Sequence, residues 1–130
     1  MADEPKLAAS PEVWPEAKPY WEAAAEGRLL IKACNSCGEK HFYPRPFCPF
    51  CMSDDTAWVE CSGGGTIYTF TITARAPVFQ VPAMIALDEG PVMMGAVVDA
   101  DPASIAIGQR VRVAFTPTSN GQPIPVFRRD

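Results

Sequence analysis

Two Cys-x-x-Cys hooks constrain this chain more than anything else in it: Cys34-Asn35-Ser36-Cys37 and, after ten further residues, Cys48-Pro49-Phe50-Cys51. Four thiolates at that spacing fold onto one tetrahedral ion, each hook aiming both sulfurs at the metal while backbone N–H groups turn toward them. Gly38, directly after the first hook, suits the positive φ that such a knuckle needs. Met52 holds the matching place after the second hook, where a glycine would be easier. With all four positions filled by protein, none is left for water or substrate. The expectation is one structural Zn2+ ion on Cys34, Cys37, Cys48 and Cys51. Iron in the same cage, which would make an electron carrier, is the alternative. Two disulfides would need an oxidising compartment, and Met1 to Ser10 has neither a basic start nor a long apolar run.

The chain has 130 residues, enough for one ordinary domain or two very small ones. It is 48% hydrophobic and 20% charged, so it buries a core and is not a disordered polymer. No apolar run approaches the ~18 residues that cross a bilayer, and a soluble cytoplasmic protein is expected. The 14 prolines and 9 glycines call for short elements and many turns. The fifth cysteine, Cys61, reads as a small apolar filler.

Along the chain, Ser10-Pro11-Glu12 has the order of a capped single turn, in an arm held loosely unless Trp14 docks. Pro19 to Glu26 predicts about two helical turns, started by proline, carried by Ala23 to Ala25 and stopped by Gly27. Such a helix is too short to stand alone. Tyr20, Trp21 and Ala24 form its apolar face, packed on its own domain or offered to a partner. Leu29-Leu30-Ile31 reads as the first strand of a zinc ribbon and His41-Phe42-Tyr43 as its return, with His41 an exposed strand residue. Gly63-Gly64-Gly65 reads as a flexible break between two modules in contact.

Everything after it predicts β structure. Thr66 to Thr73 puts Tyr68, Phe70 and Ile72 on one face, read as core. Met84 to Leu87 and Val92 to Val98 flank the hairpin signal Asp88-Glu89-Gly90-Pro91. Asp101 to Ser104 predicts one helical turn, Arg110 to Phe115 a fourth strand, and Ile124 to Phe127 a fifth, set at an edge by Pro123 and Pro125. The fold class is therefore mainly β: a short N-terminal helix, a four-Cys zinc ribbon, then a five-stranded OB-fold Greek-key barrel. A plain β-sandwich is the alternative from pattern alone. The divisions are residues 1–28 for the arm and helix, 29–62 for the ribbon and 63–130 for the barrel.

That order of modules resembles a known family pairing a rubredoxin-like zinc ribbon with an OB-fold, long catalogued as a domain of unknown function and tied to acyl-CoA metabolism. The residues carrying the resemblance are Gly27-Arg28-Leu29-Leu30, the two cysteine hooks, Tyr43-Pro44-Arg45-Pro46, Gly63 to Thr71, Leu87-Asp88-Glu89-Gly90 and Ile107-Gly108. They run from Pro19 to Phe115, with Met52 and Gly64 as departures that touch no metal ligand. The resemblance implies a non-catalytic accessory subunit working beside an acyl-CoA enzyme of the thiolase, hydroxymethylglutaryl-CoA-synthase, hydratase or aldolase type. It also implies that the subunit binds that enzyme, an acyl-CoA thioester, or both, and helps shape the acyl-CoA site.

The residues agree with a non-catalytic reading. The single histidine, His41, has no nucleophile near it in sequence, Cys61 sits in no nucleophile motif, and no phosphate-cradling loop is present. Single-stranded nucleic acid is the competing ligand, because zinc ribbons and OB-folds both bind it and Tyr68 and Phe70 are candidate stacking rings. Charge disfavours it: from Gly63 onward five arginines meet five acidic residues, and the whole chain carries −4. The partner contacts expected are Trp21 on the helix and, in the loop between the first two barrel strands, the apolar Phe79 and the cationic Arg75, which suits a CoA phosphate.

Overall fold

The computed structural model describes residues 7–130; the first part of the expected N-terminal arm lies outside them. Helix α1 spans Lys18–Ala25, preceded by a 3-10 turn at Pro15–Ala17. Its end is a glycine cap. Gly27, at φ 79°, lets its own N–H reach Ala24 C=O and that of Arg28 reach Ala23 C=O, which satisfies two carbonyls the helix would leave open. Tyr20, Trp21, Ala23 and Ala24 are buried. The expected turn at Ser10 does not form. Ser10 instead bonds Thr118 at 3.0 Å and Ser119 at 3.1 Å, and its Oγ accepts the Asn120 N–H at 2.9 Å. The arm is thus tied by Ser10, while Trp14 stays half exposed.

Three strands make the ribbon sheet: β1 (Leu30–Cys34), β2 (Lys40–His41) and β3 (Thr56–Glu60), in the order β2-β1-β3. The third of these was not expected, because Asp54, Asp55 and Glu60 mask a short Thr-Ala-Trp-Val stretch. It pairs with β1 from Leu30↔Glu60 to Cys34↔Thr56.

The barrel follows: β4 (Gly64–Phe70), β5 (Pro82–Leu87), β6 (Val92–Val98), β7 (Arg110–Pro117) and β8 (Pro123–Arg129), closed in the order β4-β5-β6-β8-β7. That is the OB-fold circuit, with a 3-10 turn at Pro102–Ser104 between β6 and β7. Asp101 caps that turn by accepting the Ala103 N–H at 3.0 Å.

Three readings of the barrel are corrected. Gly63-Gly64-Gly65 is not a flexible break. All three residues are buried, and the last two open β4 and pair with Arg112 and Val111 of β7. They are small because the walls are close: a Cβ on Gly65 would meet Ile85 Cγ2 at 2.7 Å and Ala86 O at 3.0 Å. Second, a β-bulge between Ile67 and Thr69 turns Tyr68 outward, so Ile67 is buried while Tyr68 and Ile72 are exposed and Phe70 is half-buried against the core. Third, β8 is not an edge strand overall. It pairs with β7 along its whole length and with β6 in parallel, the latter only at Val97↔Phe127 and Val98↔Arg128. Pro123 and Pro125 lie before that short contact, where β8 has no second neighbour strand.

One apolar core runs through helix, ribbon and barrel, from Ala17, Tyr20 and Trp21 through Leu29 and Ile31 to Ile67, Ile85, Val111 and Phe127. Cys61 belongs to it, its thiol pushed up to about 12 by burial and by the nearby Glu89 carboxylate. Among the described residues no helix is long and apolar enough to cross a membrane.

Candidate metal centre and apolar groove

The two hooks form matching knuckles. In the first, Gly38 N–H donates to Cys34 C=O at 2.9 Å and Cys37 N–H approaches Cys34 Sγ at 3.4 Å. In the second, Met52 N–H donates to Cys48 C=O at 2.9 Å and Phe50 N–H approaches Cys48 Sγ at 3.4 Å. Gly38 takes φ 79° and Met52 takes φ 67°, so the second knuckle reaches the same left-handed turn without glycine. Ser36 and Ser53 join the knuckles through a 2.8 Å hydroxyl contact, and Asn35 bonds Asp55 beside them.

All four sulfurs lie within 4.8 Å of one another, with Cys34–Cys51 at 3.6 Å and Cys37–Cys48 at 3.7 Å. A tetrahedron of thiolates about 2.3 Å from zinc has edges of ~3.8 Å, so the donor set fits such an ion. Hydrogen bonds from backbone N–H groups, that of Cys37 first, hold the Cys34 thiol down to about 6, whereas burial and the neighbouring sulfurs push the Cys37 thiol up to about 12 and raise that of Cys51; thiolate character on all four sulfurs therefore calls for a cation among them. Cys34 and Cys48 are buried and Cys37 and Cys51 exposed, so the cage sits at the ribbon tip with its ligands all from protein. Such a closed set holds structure and activates nothing.

His41 departs from its expected exposed place. It is 3% exposed, directly across the β1–β2 ladder from Lys32, with both ring nitrogens unpartnered. Burial, then the charges of Lys32 and Arg45, lower its pKa. Lys32 is itself buried. Its ammonium donates to Arg45 C=O at 3.3 Å and Thr56 Oγ1 at 3.2 Å and lies 4.8 Å from the centre of the Trp58 ring.

A second feature lies between ribbon and barrel. Tyr20, Trp21, Phe42 and Tyr43 form a cluster of rings with centroids 4.7–6.4 Å apart, and Trp21 Nε1 donates to Tyr43 Oη at 2.9 Å. These rings make one wall of a groove of about 440 Å³. Met94, Gly95 and Ala96 of β6 and Ile124, Pro125 and Val126 of β8 line the other side, with Phe79 and Pro82 also in the lining. Ala9 and Pro11 of the arm also line it, and among the described residues no charged one does.

The structure thus brings the four metal-site cysteines together, and it brings Trp21 and Phe79 into one groove. Trp21 is 9% exposed and sits in the chain's own core, so only part of its ring is free to line that space. Arg75 is exposed in the β4–β5 loop and is absent from the groove lining. Met94, Tyr43 and Ile124 were not singled out from sequence. The alternation in Val92-Met93-Met94 was the available signal, since Met93 is buried and Met94 is 71% exposed.

Comparison with known proteins follows the same two modules. The ChsH2 rubredoxin-like zinc ribbon domain matches residues 21–57, and the ChsH2 C-terminal OB-fold domain matches residues 58–116. A DUF35 domain-containing scaffold protein of Methanocaldococcus jannaschii is 33% identical over 103 residues, 73% of either chain. A probable enoyl-CoA hydratase alpha subunit of Thermomonospora curvata is 32% identical over 114 residues, which are 84% of this chain and 36% of that subunit. The chain therefore spans about a third of that relative's length. Among solved structures, a chain of the Ltp2-ChsH2(DUF35) aldolase superposes with a TM-score of 0.80 at 30% identity, over 92% of this chain and 98% of that one.

Proposed function

The chain belongs to the DUF35 family of zinc-ribbon and OB-fold scaffold proteins, and from that premise we propose that it is a non-catalytic cytoplasmic subunit that docks on an acyl-CoA-processing enzyme and helps shape its acyl-CoA site. The observation that carries this reading is the superposition with the Ltp2-ChsH2(DUF35) aldolase chain across nearly the whole of both molecules. The name of the hydratase relative supports the same class of partner. Hydratase and aldolase partners are favoured by those names over the thiolase and synthase types that the family resemblance also allows.

The chemistry of the chain is consistent with this division of labour. One Zn2+ on Cys34, Cys37, Cys48 and Cys51 would hold the ribbon and, with no open coordination position, supply no reaction. The apolar groove holding Trp21 and Phe79 is the contact surface we assign to the partner or to an acyl chain, and exposed Arg75 is the candidate for a CoA phosphate. Pull-down with the affinity-tagged chain from its native host tests this. An acyl-CoA hydratase, aldolase, thiolase or synthase should be the stoichiometric companion, and companions with no acyl-CoA chemistry would overturn the proposal.

One observation favours the second reading, single-strand nucleic-acid binding: the ring of Tyr68 is 64% exposed on β4, free to stack on a base. Its surroundings do not follow through. The exposed side chains of β6 are Val92 and Met94, and Arg110, Arg112 and Arg128 are each paired with an aspartate. A steeply salt-dependent affinity for oligonucleotides would reverse that order of preference.

A further inference from the structure

We propose that Lys32 is a positioning residue of the metal cage: its buried ammonium supplies countercharge for the four thiolates and joins the two hooks behind them. This goes beyond the docking function above and rests on the assignment of one Zn2+ to Cys34, Cys37, Cys48 and Cys51.

The ribbon sheet sets the geometry. Lys32 and Cys34 stand two positions apart on β1 and so share a face of the sheet. Thr56 lies directly across the ladder from Cys34. Residues opposed in this way put their side chains on one face, with Cβ atoms about 5 Å apart. The Lys32 ammonium donates to Thr56 Oγ1 at 3.2 Å, which brings it to the cross-strand neighbour of Cys34. Its other bond, at 3.3 Å, goes to the C=O of Arg45, in the loop that leads into Cys48. Cys34 and Cys48 are the two buried ligands, one from each hook. A single ammonium therefore holds the chain near both.

Charge explains why a lysine stands there. Lys32 is buried, yet no carboxylate among the described residues lies within ion-pair distance of it. The groups that receive its ammonium are a carbonyl, a hydroxyl and the Trp58 ring, all neutral. His41, across the β1–β2 ladder, brings no negative charge either. A cation held away from water is costly unless a negative charge answers it. Four thiolates around a dication leave an excess of negative charge on the cage. The two features offset each other. The ammonium lowers the cost of gathering four thiolates, and the cage lowers the cost of burying the ammonium.

The test is made on the intact chain, with zinc affinity measured by competition against a chromophoric chelator. Lys32→Gln keeps a donor and removes the charge, Lys32→Met removes both, and Lys32→Arg keeps both. Zinc should bind the glutamine and methionine variants about tenfold or more weakly, as loss of a group supporting metal ligands commonly costs, and the arginine variant should recover most of that loss. Iron loaded into the same cage gives a readout that packing alone would not move. The ferrous cage carries one more negative charge than the ferric, so a nearby cation favours the reduced form. The midpoint potential should therefore fall in Lys32→Gln and Lys32→Met and hold in Lys32→Arg. If Lys32→Met misfolds, the glutamine and arginine variants decide. A potential unmoved in Lys32→Gln would overturn the countercharge, and an unchanged zinc affinity in that variant would overturn the positioning role; either result leaves the metal site standing. Failure of the unaltered chain to take up one equivalent of zinc would overturn the metal assignment itself, and this role with it.

Discussion

Both ring nitrogens of His41 are buried without a partner, across the β1–β2 ladder from Lys32, which is itself buried. Because burial and the neighbouring cations lower its pKa below the ordinary 6.5, the folded ribbon prefers neutral imidazole. The unfolded chain then binds more protons between the folded pKa and about 6.5. Stability on this account is full above that upper value and is lost as pH falls toward the lower one. With zinc in excess, the unfolding midpoint should fall between pH 7.5 and 5.5, and His41→Phe should flatten that dependence. An unchanged slope in the variant would remove His41 from the acid response. Met52 carries a different burden, a left-handed φ of 67° that its Cβ resists. Met52→Gly should relieve on the order of 1 kcal/mol of strain, of which about half or more returns as added entropy of the unfolded chain. A denaturation midpoint raised slightly, with metal content unchanged, is the expected result. Sequence showed the place of Met52 through its symmetry with Gly38, whereas nothing local marked His41 as interior. Its burial depends on β3 closing over β1, a long-range event.

At the scale of elements, the long periodic strands and the capped helix could be read in advance because their patterns are local. Arg110 to Phe115 alternates, and Gly27 stops α1 where its freedom at positive φ is used. The failures have one physical origin, tertiary context overriding local pattern. At β3 charged neighbours hid a strand that exists by pairing with β1. In β4 one extra residue in the bulge reversed which side Tyr68 faces. In the glycine triplet, composition resembled a hinge while the barrel required small residues for close approach. That last point is testable. Gly65→Val should destabilise the barrel by about 1–3 kcal/mol, since its branched side chain would meet Ile85 and the backbone of Ala86. Chemical denaturation measures it, and a loss within error would mean the walls can move apart. The four-cysteine cluster was the most legible feature of all, because hook spacing encodes it directly, while the groove was hardly legible, being assembled from the arm, α1, the segment after β2, the β4–β5 loop, the start of β5, β6 and β8.

The whole molecule behaves, on this structure, as modules fused by one core. Tyr20, Trp21 and Ile31 pack in the same cluster as Ile67, Ile85 and Phe127, and Ser10 stitches the arm to the β7–β8 turn. Loss of the ion should therefore reach beyond the ribbon. Cys37→Ser should lose stoichiometric zinc and unfold the ribbon, and the thermal transition of the barrel should shift downward with it. A barrel transition that stays in place would show two independent units. The groove is lined by residues of both modules, so on the function proposed above loss of the ion should also weaken partner binding. The measurement that tests this division of labour most directly is acyl-CoA turnover by the purified zinc-loaded chain, by its companion enzyme, and by the two combined. The result expected is no turnover by the chain alone and a rise in the companion's activity on its addition. Turnover by the chain alone, at a rate that survives purification to homogeneity, would contradict it.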